Sequence, residues 1–183
     1  LPEEIGQLSR LTTLELDNNH LVDLPAEIGQ LSQLQSLNAS NNELTELPPE
    51  IGQLSRLIDA NFSQNALETL PPEFDQLTAL EALFLYFNQF QEMPPAIFRL
   101  PNLQTLIMHS NPLAEIPPEI GQLTNLRRLS IGLCFITEVP PEIGQLANLQ
   151  ELNLFGNQIT ELPPEIGQLA NLQSLVVPHN QLQ

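Results

Sequence analysis

Leucine recurs at Leu11, Leu34, Leu57, Leu80, Leu103, Leu126, Leu149 and Leu172, each 23 residues after the last, and this interval constrains the fold more than any other feature. A fixed period of about 20–50 residues marks a stacked array, in which each unit buries an apolar face against its neighbours. Ten residues precede the first of these leucines, seven full units span 11–171, and a partial unit occupies 172–183. One repeat domain over 1–183 is therefore predicted, with no room for a linker. Both ends fall inside a unit, so the chain is expected to be part of a longer protein whose flanking sequence covers the terminal leucines.

Within each unit the first half reads LxxLxLxxNxL, as from Leu149 through Leu152, Leu154 and Asn157 to Ile159. The Leu-x-Leu step has period two and predicts a short, half-buried strand. An asparagine follows at Asn19, Asn42, Asn65, Asn88, Asn111, Asn157 and Asn180, with Cys134 in its place in the sixth unit. Turned inward, such an amide can satisfy the backbone of a bend that no ladder covers. The second half, as in Leu162-Pro163-Pro164-Glu165-Ile166-Gly167-Gln168-Leu169, opens on residues with φ held near −65°. It predicts a polyproline-like descent and one turn of 3₁₀ or short α-helix, because the glycine disfavours a longer one. Of 17 prolines, 14 fall in this phrase, which makes them a signature rather than a sign of loops.

These motifs resemble the leucine-rich repeat proteins of the class with 23-residue units and an LPxxIxxL second half. Similar units occur in bacterial repeat proteins, in intracellular Ras-related repeat proteins and in the repeat domains of Roco-type GTPases. The resemblance covers the whole chain. It implies an α/β solenoid, right-handed and curved, with a concave parallel β-sheet and a convex side of proline-rich turns and short 3₁₀ or helical segments. It also implies a binding scaffold without an activity of its own. The cysteine-rich caps of secreted animal members are absent.

Acids number 22 against 5 bases, all arginine, for a formal net charge of −17. Nucleic acid and anionic membrane surfaces are disfavoured partners, since both need clustered Lys and Arg. No apolar run is long enough to span a bilayer, and Leu1-Pro2-Glu3-Glu4 lacks the basic start of a signal peptide. One cysteine demands no oxidising compartment, so a cytoplasmic location is expected. Thirteen acids recur in two scaffold columns, before and after the prolines, and are expected to form a solvated outer face. They stand one per unit instead of converging, which argues against a calcium site.

Stacking explains the repeated positions, so ligand information lies in the open columns around Leu-x-Leu and before the asparagine. Polar residues dominate the first three units. Phe84, Tyr86 and Phe87 share the fourth, Ile107 and His109 lie beside them, and Leu133, Phe135 and Phe155 extend the strip. Clustered exposed apolar groups favour association; the alternative is that the aromatics stack on one another and merely cover the sheet. Arg127 and Arg128 are the only adjacent bases, suited either to local pairing with acids such as Glu151 or to receiving an acidic group from a partner.

Catalysis needs convergent groups, and His20, His109 and His179 are spread along the array with no metal-binding or nucleophile motif around them. No cofactor is implied, and Cys134 in a buried slot is expected to be inert. Asn38 and Asn61 open chance sequons on the inner face. The leading expectation is a non-catalytic module that binds a protein or peptide on its concave face through Phe84, Tyr86, Phe87, Ile107, His109, Leu133 and Phe155, with Arg128 and Glu151 orienting it. Two alternatives stand beside it: a regulatory arm of a larger signalling protein such as a Roco-like GTPase, and a homodimer formed through the aromatic strip or the uncapped ends.

Overall fold

The computed structural model describes residues 1–183. Its eight strands, three residues each, are β1 (Thr13–Glu15), β2 (Ser36–Asn38), β3 (Asp59–Asn61), β4 (Ala82–Phe84), β5 (Thr105–Ile107), β6 (Arg128–Ser130), β7 (Glu151–Asn153) and β8 (Ser174–Val176). They form one parallel sheet in chain order, and the register advances one repeat per strand, as in Thr13↔Ser36↔Asp59. From β1 to β7 the central residue of the strand is buried, as Leu37 is between the more open Ser36 and Asn38, whereas Leu175 in β8 is exposed. This is the solenoid that the repeat predicts.

Eight 3₁₀ turns, one before β1 and one in each of the seven connections between strands, run down the other side. Pro48 is extended at φ −66° and ψ 143°, Pro49 opens the turn Pro49–Gln53, and the Leu54 N–H closes it on the Ile51 carbonyl. A Pro-Pro pair does both jobs because its φ is fixed and it lacks the N–H that a helix start leaves unpaired.

Where each strand ends and the chain bends, the asparagines take over the hydrogen bonding. Asn88 accepts the Leu67 N–H at 3.0 Å and donates to the carbonyls of Phe62 and Leu85 at 3.0 and 3.1 Å. Asn111 and Asn157 repeat the pattern one unit and three units on. Buried backbone groups without such partners would be costly. A second ladder, not anticipated from sequence, starts each later unit: Asn102, Asn125, Asn148 and Asn171 each donate to a carbonyl 24 residues back at 2.7–2.9 Å.

The leucines, with isoleucines and a few phenylalanines, form one continuous core. Fully buried Phe62 is offset by the small, equally buried Ala60 in its own unit and Ala39 in the preceding one, which conserves core volume.

On the outer side the turns stack so tightly that a Cβ on Gly29 would lie 2.5 Å from the Glu50 carbonyl oxygen, and one on Gly144 2.8 Å from that of Glu165. This corrects the expectation of two solvated acid columns. Asp23, Glu46, Glu92, Glu115, Glu138 and Glu161 are exposed, but Glu27, Glu50, Glu73, Glu142 and Glu165 are half-buried. The backbone of these acids covers the glycine of the turn before, as at Glu50, Glu73 and Glu165. Phe98 occupies a glycine slot and is buried there, and the turns Pro95–Arg99 and Pro118–Gln122 stand apart. A cleft of about 450 Å³ opens between them, lined by Met93, Phe98 and Pro117 with Glu92, Glu115 and Glu119. No helix is long and apolar enough to cross a membrane.

Candidate functional site

The open face of the sheet carries the residues that depart from the repeat. Phe84 and Ile107 are register partners on β4 and β5. Two residues beyond them, Tyr86 and His109 stack with ring centroids 4.8 Å apart and planes 13° from parallel. Phe87 stands edge-on to both rings, at 6.0 and 5.7 Å. Adjacent strands are about 4.8 Å apart, so large rings in neighbouring units must pack flat or edge-on. That geometry corrects the expectation of a fully open strip: Phe84, Tyr86, Ile107, His109 and Phe155 are half-buried by one another and by their neighbours. Burial also holds the His109 imidazole below its ordinary pKa, favouring the neutral ring.

Phe87, Leu133 and Phe135 remain open, with 54%, 51% and 57% of their surface exposed. Phe87 and Leu133 share a column whose backbone is left-handed in every unit, at Asn18, Asn41, Gln64, Phe87, Ser110, Leu133, Gly156 and His179. Glycine and asparagine suit this conformation, whereas a bulky side chain at φ 53° is strained by about 1–3 kcal/mol. Two large apolar residues thus occupy unfavourable backbone at the rim of the sheet. The Asn and Gly at 18, 41 and 156 were the sequence signal for this column.

A second group lies two units further on. Phe155 is edge-on to His179 at 5.2 Å. The Leu133 side chain leans over Gly156, where a Cβ would come within 2.8 Å of it. Arg128 grips Glu151 through Nε and Nη2, at 2.7 and 3.3 Å, so this pair orients itself. Between the two groups lie Ser130 and Gly132, both buried. Sequence columns read as one strip therefore form two apolar stations. Ser63, in the column of Tyr86 one unit earlier, is fully buried and its Oγ has no hydrogen-bond partner.

No three or more His, Cys, Asp or Glu side chains converge as ion ligands would. Cys134 is buried, and that burial pushes its thiol pKa up. The face can offer aromatic and aliphatic contact area, hydrogen-bonding edges and unpaired carboxylates, which suit association.

A family profile described as a leucine-rich repeat region matches residues 1–89 and 118–182, and a second, described as a leucine rich repeat, matches 102–123. Neither description names an enzymatic activity. A search of curated proteins found no match. Among solved structures, a leucine-rich repeat protein of Leptospira interrogans is 39% identical with a TM-score of 0.82, covering 100% of this chain and 53% of that one. The leucine-rich repeat domain of the type III effector XopL is 33% identical with a TM-score of 0.87, over 100% of this chain and 66% of that one. The plant peptide hormone receptor RGFR1, solved in complex with RGF2, is 32% identical with a TM-score of 0.86, over 98% of this chain and 30% of that one. The chain thus spans about half the length of the Leptospira protein and a smaller share of the plant receptor. The first profile leaves out residues 90–117, and the second finds the motif across most of the latter half of that stretch. With spacing, asparagine ladder and sheet all agreeing, this chain belongs to the leucine-rich repeat family.

Proposed function

We propose that the chain is a non-catalytic recognition module that binds a protein or peptide on the concave face, across β4–β7. The observation that carries this reading is the pair Phe87 and Leu133, strained, apolar and half exposed on the rim of that face. Folding gains little from such placement, whereas association recovers it by removing both side chains from water. Phe84, Tyr86, Ile107, His109 and Phe155 supply the floor, and Arg128 with Glu151 supplies polar orientation. The plant receptor RGFR1 was solved in complex with RGF2 and shares this fold, which supports a peptide or protein ligand. A single buried thiol requires no oxidising environment, in keeping with a cytoplasmic setting.

Fully burying a large apolar side chain contributes about 1.5–3 kcal/mol. Three or four of them can sustain a micromolar complex once ordering costs are met. The test compares the intact chain with Tyr86→Ala and Phe155→Ala against a partner captured from lysate. Affinity is expected to fall at least about tenfold, equivalent to ~1.4 kcal/mol, while the thermal midpoint stays within a few degrees. Hydrogen-exchange protection should appear over β4–β7. Unchanged affinity, or protection confined to the outer turns, refutes the assignment. A second copy of the chain as occupant would show itself as concentration-dependent mass in light scattering.

A further inference from the structure

We infer that the cleft between the turns Pro95–Arg99 and Pro118–Gln122, on the side away from the sheet, seats an arginine side chain carried by a partner protein. The site is separate from the concave face and does not depend on what binds there. It begins in the sequence of one turn, which reads Pro-Ala-Ile-Phe-Arg where four others read Pro-Glu-Ile-Gly-Gln. Leu100 closes that turn with ψ 105°, whereas the residue in its place after the other seven turns has ψ between 57° and 70°. Across the cleft, Glu119 is exposed, although its counterparts Glu50, Glu73, Glu142 and Glu165 are half-buried. The regular stacking of one turn on the next is interrupted here.

The cleft's volume, about 450 Å³, falls within the ~300–1,000 Å³ typical of ligand clefts. Buried Met93 and Phe98, with the rings of Pro95 and Pro117, give it apolar walls, and Glu92, Glu115 and Glu119 line it as well. These three carboxylates take no part in the chain's ion pairs, which join His20 to Glu43, Arg99 to Asp75 and Arg128 to Glu151. Arg99, the one base that lines the cleft, is drawn toward the preceding turn, with its Nη1 3.2 Å from Asp75 Oδ2. An inorganic cation would leave the apolar walls in water, and the acids do not converge as ion ligands would. An arginine uses both features: its aliphatic stem covers apolar surface, and its planar, weakly hydrated guanidinium presents donors to several carboxylates. Glu92 and Glu115 also line a second hollow of about 490 Å³, together with Glu68, Gln89, Gln91 and Ala114. The cleft therefore continues into a polar trough whose amides can pair with a peptide backbone beside the arginine, which favours a chain segment over a free cation.

The experiment uses the 183-residue chain with carbon-13 methyl-labelled methionine. Its two methionines are Met93, which lines the cleft, and Met108, fully buried in the core. Titration with the peptide N-acetyl-Gly-Gly-Arg-Gly-Gly-amide is expected to move the Met93 signal saturably and leave Met108 in place. The same peptide with citrulline, equal in shape but uncharged, should bind at least about tenfold more weakly. Glu115→Gln with Glu119→Gln, both exposed, should weaken the arginine peptide by a similar factor, whereas Glu138→Gln with Glu161→Gln, equal in charge but outside the cleft, should not. No saturable change at Met93, citrulline binding as well as arginine, or equal loss from the two glutamate pairs would each overturn the inference. Guanidinium chloride saturating the Met93 shift at the same concentrations as the peptide would overturn the assignment to a chain segment.

Discussion

Gly144 and Gly167 sit at the same place in two identical eleven-residue segments, Pro140–Gln150 and Pro163–Gln173. Replacing each by alanine is expected to give opposite results. A Cβ at 144 would lie 2.8 Å from the Glu165 carbonyl oxygen and 2.9 Å from both Glu165 Cβ and Gln168 Oε1. The Gln168 amide can swing aside, but the Glu165 backbone is fixed by its own turn, so the two units must separate. Overpacking of this kind costs about 1–3 kcal/mol. For a chain of this size that lowers the thermal midpoint by about 2–12 °C. In a chain of residues 1–183 nothing lies within 4 Å of the methyl group added at 167. There alanine mainly reduces the freedom of the unfolded chain, a gain of about 0.4–1 kcal/mol. Circular-dichroism melts and urea titrations of the two variants provide the assay. Equal midpoints, or loss at 167 and none at 144, would refute the claim that turn-on-turn packing selects glycine at this slot.

Other outcomes follow from the same geometry. Phe87→Asn places a residue suited to φ 53° where Asn18 and Asn41 already stand, so affinity should fall at least about tenfold, ~1.4 kcal/mol, without a lower melting midpoint; a drop of many degrees would make Phe87 a structural cover. Cys134→Asn should restore the interrupted ladder by accepting from the Leu113 N–H and donating to the Met108 and Ile131 carbonyls, raising stability by about 1 kcal/mol in urea titration; an unchanged or lower midpoint counts against the ladder. Asp59 has a raised folded pKa, so its contribution is fully present below the ordinary 3.8 and is lost as pH rises through the folded value. Asp59→Asn should therefore stabilise the chain at neutral pH, with the benefit vanishing in acid. His109 has a lowered folded pKa, so its contribution holds above the ordinary 6.5 and is lost as pH falls below it; His109→Gln should flatten the stability profile in that window.

The period, the Leu-x-Leu strands and the Pro-Pro turns were legible because each is a local signal repeated at a fixed interval. Phe62, Phe74, Phe90 and Phe98 sit in or near scaffold slots of the repeat, and all four are buried. The aromatic columns located the candidate face, yet not its division into two stations. Tyr86 stacks on His109 and leaves Phe87 outside because strand spacing forces rings in adjacent units into contact, a relation between residues 23 positions apart. The left-handed column was hidden for the same reason: only Asn18, Asn41 and Gly156 hint at it, while Phe87 and Leu133 contradict their own local preference.

Sequence alone, then, determined that identical units stack with their leucines inside, since a period-two strand and a fixed-φ turn are properties of neighbouring residues. The tertiary structure decided what the stacking does to the exceptions. Phe98 in a glycine slot lines a cleft on one side, and Gly132 on the other lets the backbone of the next unit approach. Neither consequence is visible within one repeat, because the atoms that approach or withdraw belong to the next.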